Sequence, residues 1–318
     1  MVVGGAGFLG SHFLDRLLGD PNVERVTVYD NFSSGKDRHF AHHQSDPRLV
    51  VVRADVHQRD LLTAVMTGHD CVIHLASNPD IARAVTEPDI DFREGSELTN
   101  HIVEAMRKSG VRRALYASGS GIYGDLGEKE IEEDHGSLLP ISTYGASKLA
   151  GEALFCAYAH MFDMKVIAFR FANVVGCRQT HGVGFDFVRK LHKDPHCLYI
   201  LGDGTQRKSY VHARDVVEAV LCAADKTQAP FDAYNIATDD AMTVRQIADA
   251  ACRCVGLDPA FVSYRFSGGD RGWKGDVPVV RLSSKKIRAL GWRPTMSSRQ
   301  ALIDAMSAIL SDLKAGDP

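Results

Sequence analysis

The chain has 318 residues, 45% of them hydrophobic and 24% charged, with a formal net charge of -3. That length buries a sizeable core in one large or two unequal domains, and the near-neutral charge gives no global field to recruit nucleic acid or an anionic membrane. No apolar run reaches bilayer-spanning length, and the first residues lack the basic-then-apolar pattern of a secretory leader, so a soluble cytoplasmic protein is expected.

Seven cysteines, an odd number falling mostly in hydrophobic segments, are expected to be free thiols. Cys252 and Cys254 lie one residue apart in an apparent helix with no second ligand pair, so they are expected to pack rather than hold a metal. His39, His42 and His43 have no cysteine or carboxylate at ligand spacing around them and are expected to be solvated. No metal site is predicted.

Taken in order, Met1-Val2-Val3 leads into Gly4-Gly5-Ala6-Gly7-Phe8-Leu9-Gly10, after which apolar residues recur at helical spacing through Leu18. This predicts strand, glycine loop and helix. Gly4, Gly7 and Gly10 permit a tight turn, close backbone approach to a pyrophosphate and close packing of helix on sheet. The next strand, 25–30, ends in Asp30, twenty residues beyond Gly10, where an acceptor for a ribose 2′-hydroxyl belongs. Asp30 favours NAD, since its charge repels the 2′-phosphate of NADP. Three residues are few for a central parallel strand, so either the natural start lies upstream or the short strand weakens the fold.

Leu49 to Val56 predicts a third strand, Asp70 to Ser77 a fourth, Val111 to Ser118 a fifth and Lys165 to Phe171 a sixth, with helices near 95–109 and 144–162. Apolar strands alternating with amphipathic helices predict an α/β fold, a Rossmann-type doubly wound parallel sheet whose ligands sit at the carboxyl ends of the strands. Gly4 to Gly10, Asp30, Asp55, Leu75 to Ser77, Ser118 to Ser120 and Asn173 all fall at such ends.

Residues 142–148, Ser-Thr-Tyr-Gly-Ala-Ser-Lys, open a long helical run and put Tyr144 and Lys148 one turn apart on one face. The pair is a candidate general base, because an ammonium beside a phenol favours the phenolate.

Beyond Asn173 segments shorten and glycine-rich turns appear with Arg and Lys close by, which predicts a smaller C-terminal α/β lobe that clamps an anionic ligand. The expected division is 1–173 for the coenzyme domain, with 210–240 returning to it, and 174–209 plus 241–318 for the substrate lobe. A strand and helix are predicted within Tyr210 to Lys226, and a terminal helix at roughly 297–313.

With the glycine loop, Asp30, Ala-Ser-Gly-Ser-Gly-Ile-Tyr-Gly (117–124) and Tyr144-x-x-x-Lys148, the chain resembles extended short-chain dehydrogenases acting on nucleotide sugars. It is most similar to the UDP-glucose 4-epimerases, and the archaeal type shares its Leu201 to Tyr210 and Arg271 to Asp276 stretches. The resemblance implies that Gly4, Phe8, Leu9, Asp30 and Asn31 surround NAD. It extends this to Ser34, Gly35, Asp55 and Val56, to Leu75, Ala76, Ser77 and Ala117, and to Tyr144, Lys148 and Phe171. Asn173 is implied to meet the diphosphate of the substrate. Lys208 stands where the family carries a phosphate-binding arginine, which keeps the charge but loses the bidentate fork. Arg207 or Arg271 is the alternative source of that fork, and Asp276 completes the implied substrate set. A homodimer through the helices near 98–107 and 144–162 is also implied.

Two departures stand out. The family's catalytic Ser or Thr, four residues before the Tyr123 of the V-Y-G motif, falls on Gly119, with Ser118 and Ser120 on either side. The sequence leaves open which serine replaces it. The asparagine of the family's N-N-V segment is Gly95. Where dehydratases and decarboxylases of this superfamily place carboxylates, this chain has Ser120 and Gly121. The expected activity is therefore inversion at C4 of a UDP-hexose through a transient 4-keto sugar, with Tyr144 as base and NAD as hydride carrier. The alternatives are another nucleotide-sugar reductase or dehydratase, or an NAD-binding sensor that has lost catalysis.

Overall fold

The structure, a computed structural model, describes residues 1–316. Seven strands form its main sheet: β1 (Val2–Val3), β2 (Val26–Asp30), β3 (Leu49–Arg53), β4 (Cys71–His74), β5 (Arg113–Gly119), β6 (Lys165–Phe171) and β7 (Phe231–Ile236). They run parallel in the order β7-β6-β5-β4-β1-β2-β3. The order reverses beside β1, and a crevice opens there above the strand ends.

Alternation along each strand sends side chains to two different cores. Val2, Val28, Leu115 and Phe169 face α1 (Phe8–Leu18), whereas Val3, Tyr29, Tyr116 and Ala168 face α2 (Arg59–Met66), α3 (Leu98–Ser109) and α4 (Thr143–Met161). This is the doubly wound arrangement that the pattern predicts. β3 is an edge strand with mostly exposed side chains.

β3 and β4 are shorter than the apolar runs that announce them. β1 contributes only two residues, and after His74 the remaining bonds to it are Leu75 N–H and Ala76 N–H, which share the Val3 carbonyl. On the β1 side the ladder ends there, so Leu75 to Ser77 lie in a loop; β3 pairs only with β2 and stops at Arg53 opposite Asp30, where β2 ends, so Asp55 and Val56 also lie beyond the strand. β7 escapes the sequence pattern because Asp232 and Asn235 interrupt it; Asn235 is fully buried, accepts from Tyr123 Oη at 2.9 Å and donates to the Ile131 carbonyl.

After β6, Asn173–Val175 pairs in parallel with Tyr210–His212. A separate core collects α5 (Val183–Lys193), Tyr210 of the 210–212 strand, α7 (Val244–Cys254) and α9 (Ser298–Lys314), with the parallel pair Cys197–Ile200 and Ser263–Phe266. Helix α6 (Ala213–Lys226) instead joins the face of the sheet that α1 covers. Ile287, on α8 (Lys285–Ala289), and Trp292 pack there too, the indole N–H donating to the Asp215 carbonyl at 2.9 Å.

All seven cysteines are free. His39 corrects the expectation of a solvated histidine cluster, for it is fully buried with Nδ1 2.8 Å from the Ala6 carbonyl. Among the described residues no helix is long and apolar enough to cross a membrane.

Candidate active site

The glycine loop turns where no side chain fits. Gly4 has φ +80°, and a Cβ there would lie 2.7 Å from Ala76 N; one on Gly10 would lie 2.5 Å from the Gly4 carbonyl oxygen. The loop therefore brings the start of α1 directly over the end of β1. Gly7 caps that helix without a side chain, leaving first-turn N–H groups for an anion. Asp30, 8% exposed, accepts from Ala6 N at 2.9 Å and from Phe32 N at 2.8 Å. Burial nevertheless raises its carboxyl above the usual range. Asn31 donates to Asp55 at 2.8 Å, which orients a second carboxylate on the same rim.

These residues border a cleft of about 970 Å³ between the sheet and the second core. Of the expected coenzyme residues, Gly4, Gly7, Phe8, Leu9, Gly10, Asp30, Asn31 and Ser34 line it. So do Asp55, Val56, Leu75, Ala76, Ser77, Ala117 and Phe171. Gly35 does not; a Cβ there would meet Ala6 at 2.7 Å, so its smallness serves the packing of the loop behind.

Tyr144 and Lys148 both line the cleft from the first turns of α4, which Ser142 caps by accepting from Gly145 N at 3.0 Å. Lys148 is 3% exposed, donates to the Ala117 carbonyl at 2.8 Å, and has its ammonium 5.5 Å from the Tyr144 ring centre. Burial pushes Lys148 down to about 8 and Tyr144 up to about 12, the latter opposed by the Ser77 hydroxyl and reinforced by the Asp91 carboxylate. In the protein alone the phenol is therefore protonated at neutral pH, and the nearby lysine does not by itself ionise it.

The strand-end serines part company. Ser118 donates to Glu152 Oε1 at 2.5 Å, and Glu152 pairs with Arg170 at 2.8 Å, all buried. Ser118 also lines the cleft, but its hydroxyl is engaged by Glu152. Ser120 opens the turn Ser120–Tyr123 and lines the cleft. At Gly119 the backbone is extended, with φ -164°, and no atom lies within 4 Å of an added Cβ.

Gly95 sits in a π-helical segment, Phe92–Glu97, where a Cβ would be 2.6 Å from Ser147 Oγ. The serine on α4 fills the volume a larger residue would need. Asp91, 1% exposed, accepts from Asn78 Nδ2 at 2.9 Å and Thr143 Oγ1 at 2.7 Å, tying the start of α4 to the loop after β4. Sequence reasoning missed this tie, since no spacing links Asp91 to Thr143. It also missed His181, Asp186 and Trp273, which line the cleft from the second lobe.

On that side, Asn173, Lys208 and Asp276 line the cleft, and Lys208 is ion-paired with Asp276. Arg207 and Arg271 do not line it. Arg207 pairs with Glu128, and Arg271 holds the Asp276 carbonyl and Asp125, each at 2.7 Å.

The model of the NAD dependent epimerase/dehydratase family matches residues 1–237. The chain belongs to that family. Membership makes NAD its coenzyme, and the side-chain-free cradle at Gly4 and Gly10 fits the close approach of a pyrophosphate. The putative UDP-glucose 4-epimerase of Methanocaldococcus jannaschii is 29% identical to this member over 308 residues, covering 95% of each chain. A crystal structure of a UDP-galactose 4-epimerase matches with a TM-score of 0.86 at 37% identity over 98% of each chain. The Streptomyces venezuelae dTDP-glucose 4,6-dehydratase DesIV, with NAD and TYD bound, matches with a TM-score of 0.90 at 26% identity over 99% of this chain and 97% of that one.

Proposed function

We propose that this family member inverts C4 of a UDP-hexose through a transient 4-keto sugar. The observation that carries the reading is the pair Tyr144 and Lys148 facing the coenzyme cleft beside a strand-end turn, 118–121, that holds no carboxylate. Relatives named as 4-epimerases align over nearly the whole chain.

Tyr144 Oη takes the proton of the sugar 4-hydroxyl and later returns it. Because burial keeps the phenol protonated, a positive charge must enter the cleft before Tyr144 acts as a base. NAD, when bound, supplies a cationic nicotinamide ring that accepts hydride from C4 and gives it back. Lys148 spends one N–H on the Ala117 carbonyl and keeps two for a ribose hydroxyl. Ser120 is the hydroxyl donor to the sugar oxygen. Asn173 and Lys208 hold the diphosphate while the hexose turns over, which requires Lys208 to exchange Asp276 for phosphate. The substrate lobe is taken as 174–209 and 241–318, with 210–240 in the coenzyme domain, although Ile287 and Trp292 pack back against the face of the sheet that α1 covers and Tyr210 packs in the second core. A homodimer forms through α3 and α4, whose Ala153, Ala157 and Met161 leave an exposed apolar stripe. The seven free thiols fit a cytoplasmic protein.

Incubation with UDP-glucose and UDP-galactose, followed by proton NMR, is expected to show interconversion with no accumulation of reduced coenzyme. Tyr144→Phe is expected to lower kcat by about 10²- to 10⁴-fold. Net reduced coenzyme, or full activity in the variant, overturns the reading. A second reading, 4,6-dehydration, draws on the likeness to DesIV and on Asp80, Glu94 and Asp186, carboxylates that reach the cleft from other segments. The same spectra decide it by loss of the C6 hydroxyl.

A further inference from the structure

Two consecutive histidines outside the cleft converge on one carboxylate. His42 Nε2 lies 2.7 Å and His43 Nε2 2.9 Å from the same oxygen of Asp15, Oδ1, although Asp15 is on α1 and the histidines are on the turn Asp37–His43. The three donor atoms lie within 4.8 Å of one another, and this is the only such group of three among the described residues. We propose that Asp15, His42 and His43 form a zinc site that clips the 37–43 turn to α1 beside the coenzyme loop.

The donor chemistry fits. Two imidazole nitrogens and one carboxylate oxygen are a set that zinc takes at about 2.0–2.2 Å, with water completing the tetrahedron. In the metal-free site each Nε2 donates its proton to the Asp15 carboxylate, which only accepts, so zinc binding requires each histidine to present the Nε2 lone pair with its proton on Nδ1. Tetrahedral ligation at such lengths sets donor atoms about 3.3 Å apart. The two histidine-to-Asp15 spacings therefore open by roughly half an ångström, and His42, on the surface, has room to move. Its exposure also provides the entry path.

A supporting shell is in place. Arg178 pairs with Asp15 Oδ2, has Nη1 3.3 Å from the ligand oxygen Oδ1, donates to the His39 carbonyl at 2.9 Å, and has Nη2 3.3 Å from His12 Nδ1. A ligating carboxylate is commonly held in this way by an outer hydrogen-bond donor. The guanidinium charge opposes a dication, which sets the expected affinity on the order of micromolar rather than nanomolar. The clip has a structural reach, because the same turn holds the glycine loop: His39 Nδ1 is 2.8 Å and Lys36 N 3.1 Å from the Ala6 carbonyl.

The test is calorimetric titration of the full chain, freed of metal by chelator and dialysis, with zinc chloride, alongside thermal melts. One equivalent should bind with micromolar affinity and raise the melting temperature. His42→Ala/His43→Ala should weaken binding at least about tenfold and abolish the thermal shift. Asp15→Asn should weaken binding too; should that variant fail to fold through loss of its Arg178 partner, the histidine double variant alone decides. No saturable binding below about 1 mM, or undiminished binding in the double variant, which moves zinc to other donors such as the cysteines, overturns the proposal.

Discussion

The Ser118 hydroxyl and the Glu152 carboxylate meet at 2.5 Å at the wall of the cleft, and the contact engages one of the two serines that flank Gly119. Ser118→Ala is expected to cost about 1–2 kcal/mol of stability, by depriving a buried charged acceptor of a donor. Its kcat should stay within about threefold of wild type. Ser120→Ala should do the opposite, losing kcat by about 10- to 100-fold with little change in stability. Urea denaturation and initial rates on the two variants separate the roles.

Gly119 has an extended backbone and open space where its side chain would be. Gly119→Ser should therefore leave the unfolding free energy within about 0.5 kcal/mol of wild type. It places a hydroxyl between Ser118 and Ser120 on the cleft wall, and an increase in kcat of about tenfold is expected. A folded variant with unchanged or lower kcat would show that the missing hydroxyl is not what limits this site.

Lys148 titrates at about 8 when folded, against an ordinary 10.5. Between those values the unfolded chain binds more protons, so stability rises with pH from about 8 to 10.5, and the cost of burying the ammonium is carried in full below pH 8. Lys148→Met is expected to gain roughly 1 to 2 kcal/mol at pH 7, after the lost bond to the Ala117 carbonyl is deducted, while losing activity. Denaturation of both proteins at pH 7 and pH 10 should show this advantage shrinking at the higher pH.

Asp91 raises the Tyr144 phenol through its charge. Asp91→Asn should move the alkaline-going limb of the kcat/KM profile to lower pH, because a phenol freed of a neighbouring anion ionises more readily. An unmoved limb accompanied by a uniform loss of rate would instead mean that Asp91 only anchors Thr143 and Asn78.

Much of the fold was legible because it rests on local pattern. The glycine loop, the acid at the end of β2 and the apolar runs of β5 and β6 each depend on residues close in sequence, and Lys165–Phe171 matches its expected bounds. Where a strand stops was not legible, since β4 ends for want of a partner on β1 rather than for any residue of its own. The site divides in the same way. Tyr144 and Lys148 are one helical turn apart and announce themselves, whereas the Asp91 to Thr143 bond and the meeting of Asp15 with His42 and His43 join segments that only the folded chain brings together. Ser118 and Ser120 were equivalent in sequence until the side chain of Glu152, 34 residues further on, distinguished them.

Gly95 and Ser147 occupy one shared volume, and that contact sets an order on inheritance. The Cβ of Ser147 alone would stand 2.7 Å from a Cβ at 95, so trimming the serine to alanine does not make room. A descendant that acquires an asparagine at 95 must first accept glycine at 147, inside the helix that carries Tyr144, or part the two helices. A change to asparagine at 95 therefore begins with a step that loosens the helix carrying Tyr144, which makes the present pairing self-preserving.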